Sequence, residues 1–194
     1  LLSMSLPAMF SMLIQALYNI VDSIYVAQIG EHALTAVSLA FPVQNLMIAV
    51  SVGTGVGLNS LISRRLGERR EKEASAAATH GVLISFAESL LFLLFGLFFC
   101  RMFFSAFTDD STVIQMGVKY TSIVTIFSFG SFIEINLEKI LQATGNMFYP
   151  MVFQLIGAIT NIILDPIFIF GWFGLPAMGV TGAAIATVTG QILA

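Results

Sequence analysis

Six long apolar stretches separated by short polar interruptions run the length of the chain. At about 20 apolar residues per bilayer crossing, they predict helices near residues 5–28, 34–62, 76–100, 113–141, 150–171 and 178–194, the last expected to be truncated. None shows the polar–apolar alternation of a membrane-barrel strand, so the pattern favours a helical bundle over a barrel. The interruptions carry helix punctuation. Gly30 suits a helix terminator, Thr108-Asp109-Asp110-Ser111 offers N-caps for the fourth helix, and Gly145-Asn146 breaks the chain before Pro150 opens the fifth.

The exceptions to the apolar pattern matter most. The stretch Thr160 to Phe170 places Asn161, Asp165 and Pro166 inside a run that otherwise reads as one crossing. A charge near mid-membrane costs at least ~2.5 to 3.5 kcal/mol on insertion scales, so such residues usually face a cavity and handle ions, protons or substrate. Asp22, with Asn19 three residues before it, repeats the arrangement in the first helix. Pro166 disfavours regular helix, and either frees carbonyls to coordinate a cation or only kinks the helix.

Composition agrees: 57% of residues are hydrophobic and 10% charged, with a mean hydropathy of +0.93. Soluble domains carry about 25% charged residues, which excludes that class. A single Cys100 with two His rules out an internal disulfide and disfavours a zinc or redox site. The first apolar run is too long for a cleavable signal peptide, lacks a basic start and contains Asp22. The chain begins without Met and ends inside an apolar run, so it is expected to be part of something longer.

The net charge of −3 says less than its placement. Arg64, Arg65, Arg69, Arg70 and Lys72 all lie between the second and third helices, and Lys139 lies at the inner end of the fourth. The positive-inside rule makes that loop cytoplasmic, puts the N-terminus inside and leaves Gly171 to Pro176 outside, where Trp172 suits an interfacial aromatic. Glu68, Glu71 and Glu73 interleave with the basic residues, so the loop reads as a topology determinant and not a nucleic-acid patch.

This polarity lets depth be counted. Asp22 lies fifteen residues after Pro7 and Asp165 fifteen after Pro150, both on outward-running helices. At about 1.5 Å per residue both reach roughly 22 Å from the inner start. Tyr120 and Thr187 come near the same level from the fourth and sixth helices, so polar groups of four helices are expected to converge on one outer-half cavity.

Other polar positions have plainer readings. Glu138 and Lys139 read as an interfacial ion pair, Glu134 is deep enough for a second proton site, and Glu88 has no partner visible in the sequence. Gly53-Thr54-Gly55-Val56-Gly57 lacks the strand and lysine of a phosphate loop. It reads as packing, with Gly53 and Gly57 allowing close helix approach, as do Gly179, Ala183, Ala186 and Gly190 later. His32 reads as a solvated loop residue. For Asp22 and Asp165 the plain alternative is a structural acid satisfied by its neighbours.

Several motifs, in order, resemble the multidrug and toxic compound extrusion (MATE) transporters. They are Tyr18-Asn19-Ile20-Val21-Asp22, Ala40-Phe41-Pro42, Gly53 to Gly57 with Ser63-Arg64-Arg65-Leu66-Gly67, Leu141 to Asn146, Asn161 to Pro166, and Gly179 to Thr187. The resemblance implies an all-α membrane protein, a six-transmembrane-helix bundle forming the N-terminal lobe (residues 1–194) of a two-lobe, twelve-helix transporter whose C-terminal lobe is absent here. It implies cation coupling at Asp22, Asn161, Asp165 and Thr187, which would also ligate Na⁺ if that ion is used. Tyr18, Asn19 and Tyr120 would face the substrate cavity. The family's polar residues of helix four have no clean counterpart among Ile135, Asn136 and Glu138.

The expected function is therefore export of cationic or amphipathic drugs and toxins in exchange for Na⁺ or H⁺, in the plasma (inner) membrane. No enzyme activity, no cofactor beyond the coupling ion and no nucleic-acid partner are expected. Three rivals stand beside it. A lipid-linked precursor flippase should need an arginine at mid-depth, which these spans lack. An intramembrane aspartyl protease would use two helix-borne acids to activate water, but Leu164-Asp165-Pro166 does not match its motifs. In a non-transporting membrane subunit the acids would be structural.

Overall fold

The computed structural model describes residues 2–194, with side chains at Leu6 and from Met9 onward. The described residues form helices without strands. They are α1 (Leu2–Ile29), α2 (Glu31–Gly67), α3 (Glu71–Leu94), α4 (Cys100–Phe107), α5 (Ser111–Ile126), α6 (Phe129–Ala143), α7 (Phe148–Phe170) and α8 (Val180–Leu193). A π-helical turn, Phe95–Phe99, joins α3 to α4 into one long rod. The chain is a multi-pass helical membrane protein. Its lipid-sized surface is rich in exposed Leu, Ile and Phe, among them Leu91 at 67% and Phe98 at 71%, which water would not tolerate over so large an area.

The punctuation read from the sequence is used. Gly30 is the only residue between α1 and α2 and has φ 142°, a left-handed value that a side chain would strain. Asp110 caps α5, its Oδ1 accepting from the backbone N–H of Thr112 at 2.8 Å and Val113 at 3.3 Å. Those two N–H groups, and then His32, hold the Asp110 carboxyl below its ordinary range. Asn146 Oδ1 accepts from Phe148 and Tyr149 at the start of α7. Pro150 therefore sits inside the first turn of α7 and does not open it.

Three expectations about the spans need correction. The fourth predicted helix is not continuous: α5 and α6 meet at a 48° bend through Phe127 and Ser128. Before it, Thr125 Oγ1 donates back to the carbonyls of Thr121 (2.7 Å) and Ser122 (3.2 Å), competition of the kind that bends helices. The sixth predicted helix begins two residues late, at Val180, because the N–H groups of Met178 and Gly179 bond instead to Phe168 and Ile169 at the end of α7. With 14 residues, α8 is too short to cross a bilayer alone, so four helices qualify as spans, or five counting the bent pair. The helices also run past their apolar stretches: α2 continues to Gly67 and the third rod starts at Glu71, because charged side chains at helix ends reach the headgroup region without breaking the helix.

The packing centres on α2 and on the α7–α8 hairpin. α2 lies against α3, α5 and α6, while α7 packs on α1 and α8. The close-approach glycines differ from those expected. A Cβ at Gly53 or Gly57 would meet nothing within 4 Å, whereas at Gly55 it would lie 2.7 Å from Lys139 Cγ. At the C-terminal end Gly190 is tight as expected, 2.8 Å from the Gly157 oxygen, but Gly182, 2.5 Å from the Phe168 carbonyl, takes the place expected of Gly179. Ala183 and Ala186 are fully buried, as expected.

Candidate functional site

The polar residues of α1, α7 and α8 come together behind one wall of a cavity. Asp165 is fully buried and Asp22 is 8% exposed, and their carboxyl groups lie close enough to interact directly. Asn161, one turn before Asp165, turns its Nδ2 at 3.5 Å toward both Asp165 Oδ1 and Thr187 Oγ1. These donations fix the amide, so its Oδ1 faces away from them. Tyr18 of α1 lines the same cavity as Thr187. Three oxygens here have no hydrogen-bond partner: Asp22 Oδ1, Asn161 Oδ1 and Asp165 Oδ2.

Unpaired acceptors in a water-poor interior are costly unless something supplies positive charge or a proton. Two adjacent carboxyls sharpen the point, since both can be ionised together only with a compensating cation. An all-oxygen set of two carboxylates, an amide and a hydroxyl suits a hard cation such as Na⁺. It suits a shared proton equally well. Pro166 is accommodated within α7, which runs unbroken to Phe170. With no N–H at Pro166, the Ile162 carbonyl lacks its helical donor.

In front of this cluster lies a cavity of about 180 Å³ between α1, α2, α6, α7 and α8. Tyr18, Asn19, Asn161 and Thr187 line it, as does Glu134. Asp22 and Asp165, expected in the wall, lie behind it. Asn161 and Thr187 stand between, because the small residues Gly157, Ala158 and Gly190 open the cavity on their side of α7 and α8 while the acids turn into the helix packing. Tyr120 is a second correction: at 1% exposure it belongs to the core and does not line the cavity. Its hydroxyl is instead reached by Gln44 Nε2 at 3.2 Å, and Gln44 does line it.

Sequence reasoning missed Gln15, Gln44, Asn45, Ser131, Gln154 and Gln191 as lining residues. Helical spacing holds the signal for three of them. Gln15, Tyr18, Asn19 and Asp22 form one stripe along α1, Gln154, Asn161 and Asp165 another along α7, and Ser131, Glu134 and Glu138 a third along α6. The Glu138–Lys139 pair is present at 3.3 Å, and Gln142 bonds both partners. His32 lies in the first turn of α2 and not in a loop. Its side chain is exposed and sits 3.2 Å from Asp110.

Comparison with known proteins gives this helical membrane bundle a family. The MatE family profile matches residues 7–167, and the chain belongs to that family. It is similar to an FAD transporter of Shewanella oneidensis, 27% identical over all of this chain and 43% of that protein. It is also similar to the probable multidrug resistance protein YoeA of Bacillus subtilis, 28% identical over 98% of this chain and 42% of that one. Among solved structures, a MOP superfamily transporter from Pyrococcus furiosus superposes with a TM-score of 0.91 at 31% identity, covering 97% of this chain and 41% of the other. The chain thus spans less than half the length of the relatives it matches. Members of the family are transporters and not enzymes.

Proposed function

We propose that this chain is the N-terminal lobe of a cation-coupled efflux antiporter, which exports cationic or amphipathic small molecules across the plasma membrane in exchange for Na⁺ or H⁺. The observation that carries the reading is the cluster of unpartnered oxygens on Asp22, Asn161 and Asp165, which starts at the wall of a cavity able to hold a ligand and continues behind it. A cation or proton entering the cluster neutralises the two acids. Asn161 and Thr187 then reorient, because they belong both to the cluster and to the cavity wall. Occupancy of one site is in this way felt at the other. The Asn161 amide, held by Asp165 on one side and lining the cavity on the other, is the shared element through which a coupling ion displaces a bound drug.

Charge favours a cationic ligand over an anionic one. The ionisable acids in the cavity wall are Glu134 and Glu138, and among the described lining residues there is no lysine or arginine. A ligand bearing phosphates, such as FAD or a lipid-linked precursor, would meet repulsion without a compensating base. The aspartyl-protease alternative also loses ground, since acids at 8% and 0% exposure behind a wall are out of reach of a peptide bond. The basic loop around Arg64 to Lys72 supports a cytoplasmic placement of that end and of the N-terminus. Two lobes rocking about a central site would complete the transport cycle.

The test is efflux from proteoliposomes under an imposed Na⁺ or H⁺ gradient, measured on the full-length transporter and normalised to folded protein. Gradient-driven export should vanish in the Asp22→Asn, Asp165→Asn double variant. Undiminished export in that variant would overturn the reading.

A further inference from the structure

A third buried acid lies outside the cavity lining, and the coupling cluster does not use it. Glu88 on α3 is 8% exposed and lies seventeen residues past Glu71, about 25 Å along the rod at ~1.5 Å per residue, well inside the apolar zone. Thr54 of α2 donates its hydroxyl proton to Glu88 Oε1, and Glu88 Oε2 is buried without a partner. One turn earlier on α2 is Ser51, 1% exposed, whose Oγ faces the amide nitrogen of Asn136 at 3.5 Å. Asn136 on α6 is fully buried. Its Nδ2 also donates to the Phe132 carbonyl at 3.0 Å, which fixes the amide and leaves Oδ1 buried without a partner. That Oδ1 lies 3.8 Å from where a Cβ on Gly55, the neighbour of Thr54, would stand.

Four polar side chains from three mutually packed helices thus gather along one turn of α2. They present one carboxylate and neutral oxygens. Thr54 Oγ1 and Asn136 Nδ2 are already spent as donors, which leaves the Ser51 hydroxyl proton beside two buried acceptors without partners, Glu88 Oε2 and Asn136 Oδ1. Ser85 and Ser89 bond within their own helix and supply no donor. Lys139 passes this seam with its stem against Gly55, but its ammonium is held by Glu138 and Gln142 and supplies no charge there. A single buried negative charge surrounded by oxygen acceptors calls for a single small positive charge.

We propose that Glu88, Asn136, Thr54 and Ser51 form a binding site for a small monovalent cation of Na⁺ size between α2, α3 and α6, separate from Asp22 and Asp165. Glu88 Oε2 supplies the charge and Asn136 Oδ1 a neutral ligand. The hydroxyls of Thr54, whose proton goes to Glu88 Oε1, and of Ser51 contribute lone pairs. The seam adjoins the cavity wall, since Ile48 lies one turn before Ser51 and Ile135 directly before Asn136, and both line the cavity. A cation reaching the cavity has only that layer to cross. Binding would tie α6, with Glu134 on its cavity face, to the α2–α3 pair and so stiffen the inner half of the bent helix.

The site is independent of the coupling cluster, and its test is made with that cluster removed. Saturable ²²Na⁺ binding, competed by unlabelled Na⁺, is measured on the purified protein carrying Asp22→Asn and Asp165→Asn, alone and with Glu88→Gln added. Binding should persist in the double variant and weaken at least about tenfold when Glu88 is neutralised. Absence of Na⁺ binding in the double variant, or binding indifferent to Glu88→Gln, overturns the site. A Thr54–Glu88 contact serving only to tie two helices predicts the second of these. Should Glu88→Gln fail to fold, Asn136→Leu and Thr54→Val in the same background each remove a ligand oxygen and leave the charge. Either should weaken binding about threefold or more, and unchanged affinity in both overturns the proposal.

Discussion

Acids in two regions of the molecule face opposite circumstances. In the turn between α2 and α3, Glu68 is surrounded by guanidinium groups: Arg64 at 3.1 Å, Arg65 at 2.9 Å and Arg70 at 3.6 Å, with Glu73 bridging Arg65 and Arg70 nearby. Its charge is fully compensated, and hydrogen bonds from Arg64 and Arg65 hold its carboxyl below the usual range. Asp22 and Asp165 have each other and an amide, and each keeps an oxygen without a partner. The satisfied acids sit where water would have stabilised them anyway, so their pairing adds little. The unsatisfied ones sit where nothing but a bound cation or proton would. Electrostatic contentment and functional weight run in opposite directions here. A fold stabilised chiefly by apolar packing can carry uncompensated acids, and under the proposed function compensation would arrive there with the coupling ion.

The largest expected effect strikes the buried side of this contrast. Asp165→Asn alone should abolish gradient-driven efflux while leaving membrane insertion and folded yield nearly unchanged, because an isosteric amide removes charge without opening a void. Loss of folded protein with normal coupling in what remains would recast Asp165 as structural, and the contrast would collapse.

Packing supplies the next test. Gly182→Ala drives a methyl group against the Phe168 carbonyl, 2.5 Å away, and should cost about 1–3 kcal/mol as overpacking between α7 and α8. The same change at Gly53, where a Cβ meets nothing within 4 Å, should be neutral or stabilise by up to ~1 kcal/mol through helix propensity. Thermal unfolding in detergent measures both, and equal effects would mean that the α7–α8 hairpin is not tightly packed.

A smaller change is expected at Asn161 and Thr187. Replacing either with Ala removes one neutral oxygen from the cluster and should weaken coupling-cation affinity by about 2- to 12-fold, more than it alters drug affinity. Titration of each ligand against purified protein decides it. An effect confined to the drug would move both residues from the cluster to the cavity wall alone.

The smallest effects belong to the exposed acids. Asp110→Ala should lower the melting temperature modestly by uncapping α5. Both Asp110 and Glu68 have depressed carboxyl values in the folded protein, so their contribution is present above the ordinary carboxylate range, near pH 4, and fades as pH falls through the lower folded value. Glu68→Gln should leave the melting temperature at pH 7 unchanged, with a slightly flatter acid limb of the stability curve. A large loss at neutral pH would show the arginine cage to be structural after all.

The sequence by itself determined the membrane class, the order of the apolar stretches, the helix punctuation at Gly30, Asp110 and Asn146, and the shared helix faces of Asn19 with Asp22 and of Asn161 with Asp165. Each of these is set by short-range physics: a 20-residue apolar run must span, a carboxylate within it must have a reason, and side chains three or four apart share a face. Only the tertiary structure decided which face of each helix looks inward, because helices that are apolar all round give no periodic signal in the sequence. That is why Tyr120 fell into the core, why Gly55 and not Gly53 or Gly57 lies at the close approach, and why Glu88 proved to have Thr54 as its partner across 34 residues of chain. The bend at Phe127 and Ser128 belongs to the same category. Hydroxyls that back-bond their own helix loosen it there, and the 48° turn is followed at once by Gly130, where α8 packs with Ile192 2.6 Å from a would-be Cβ.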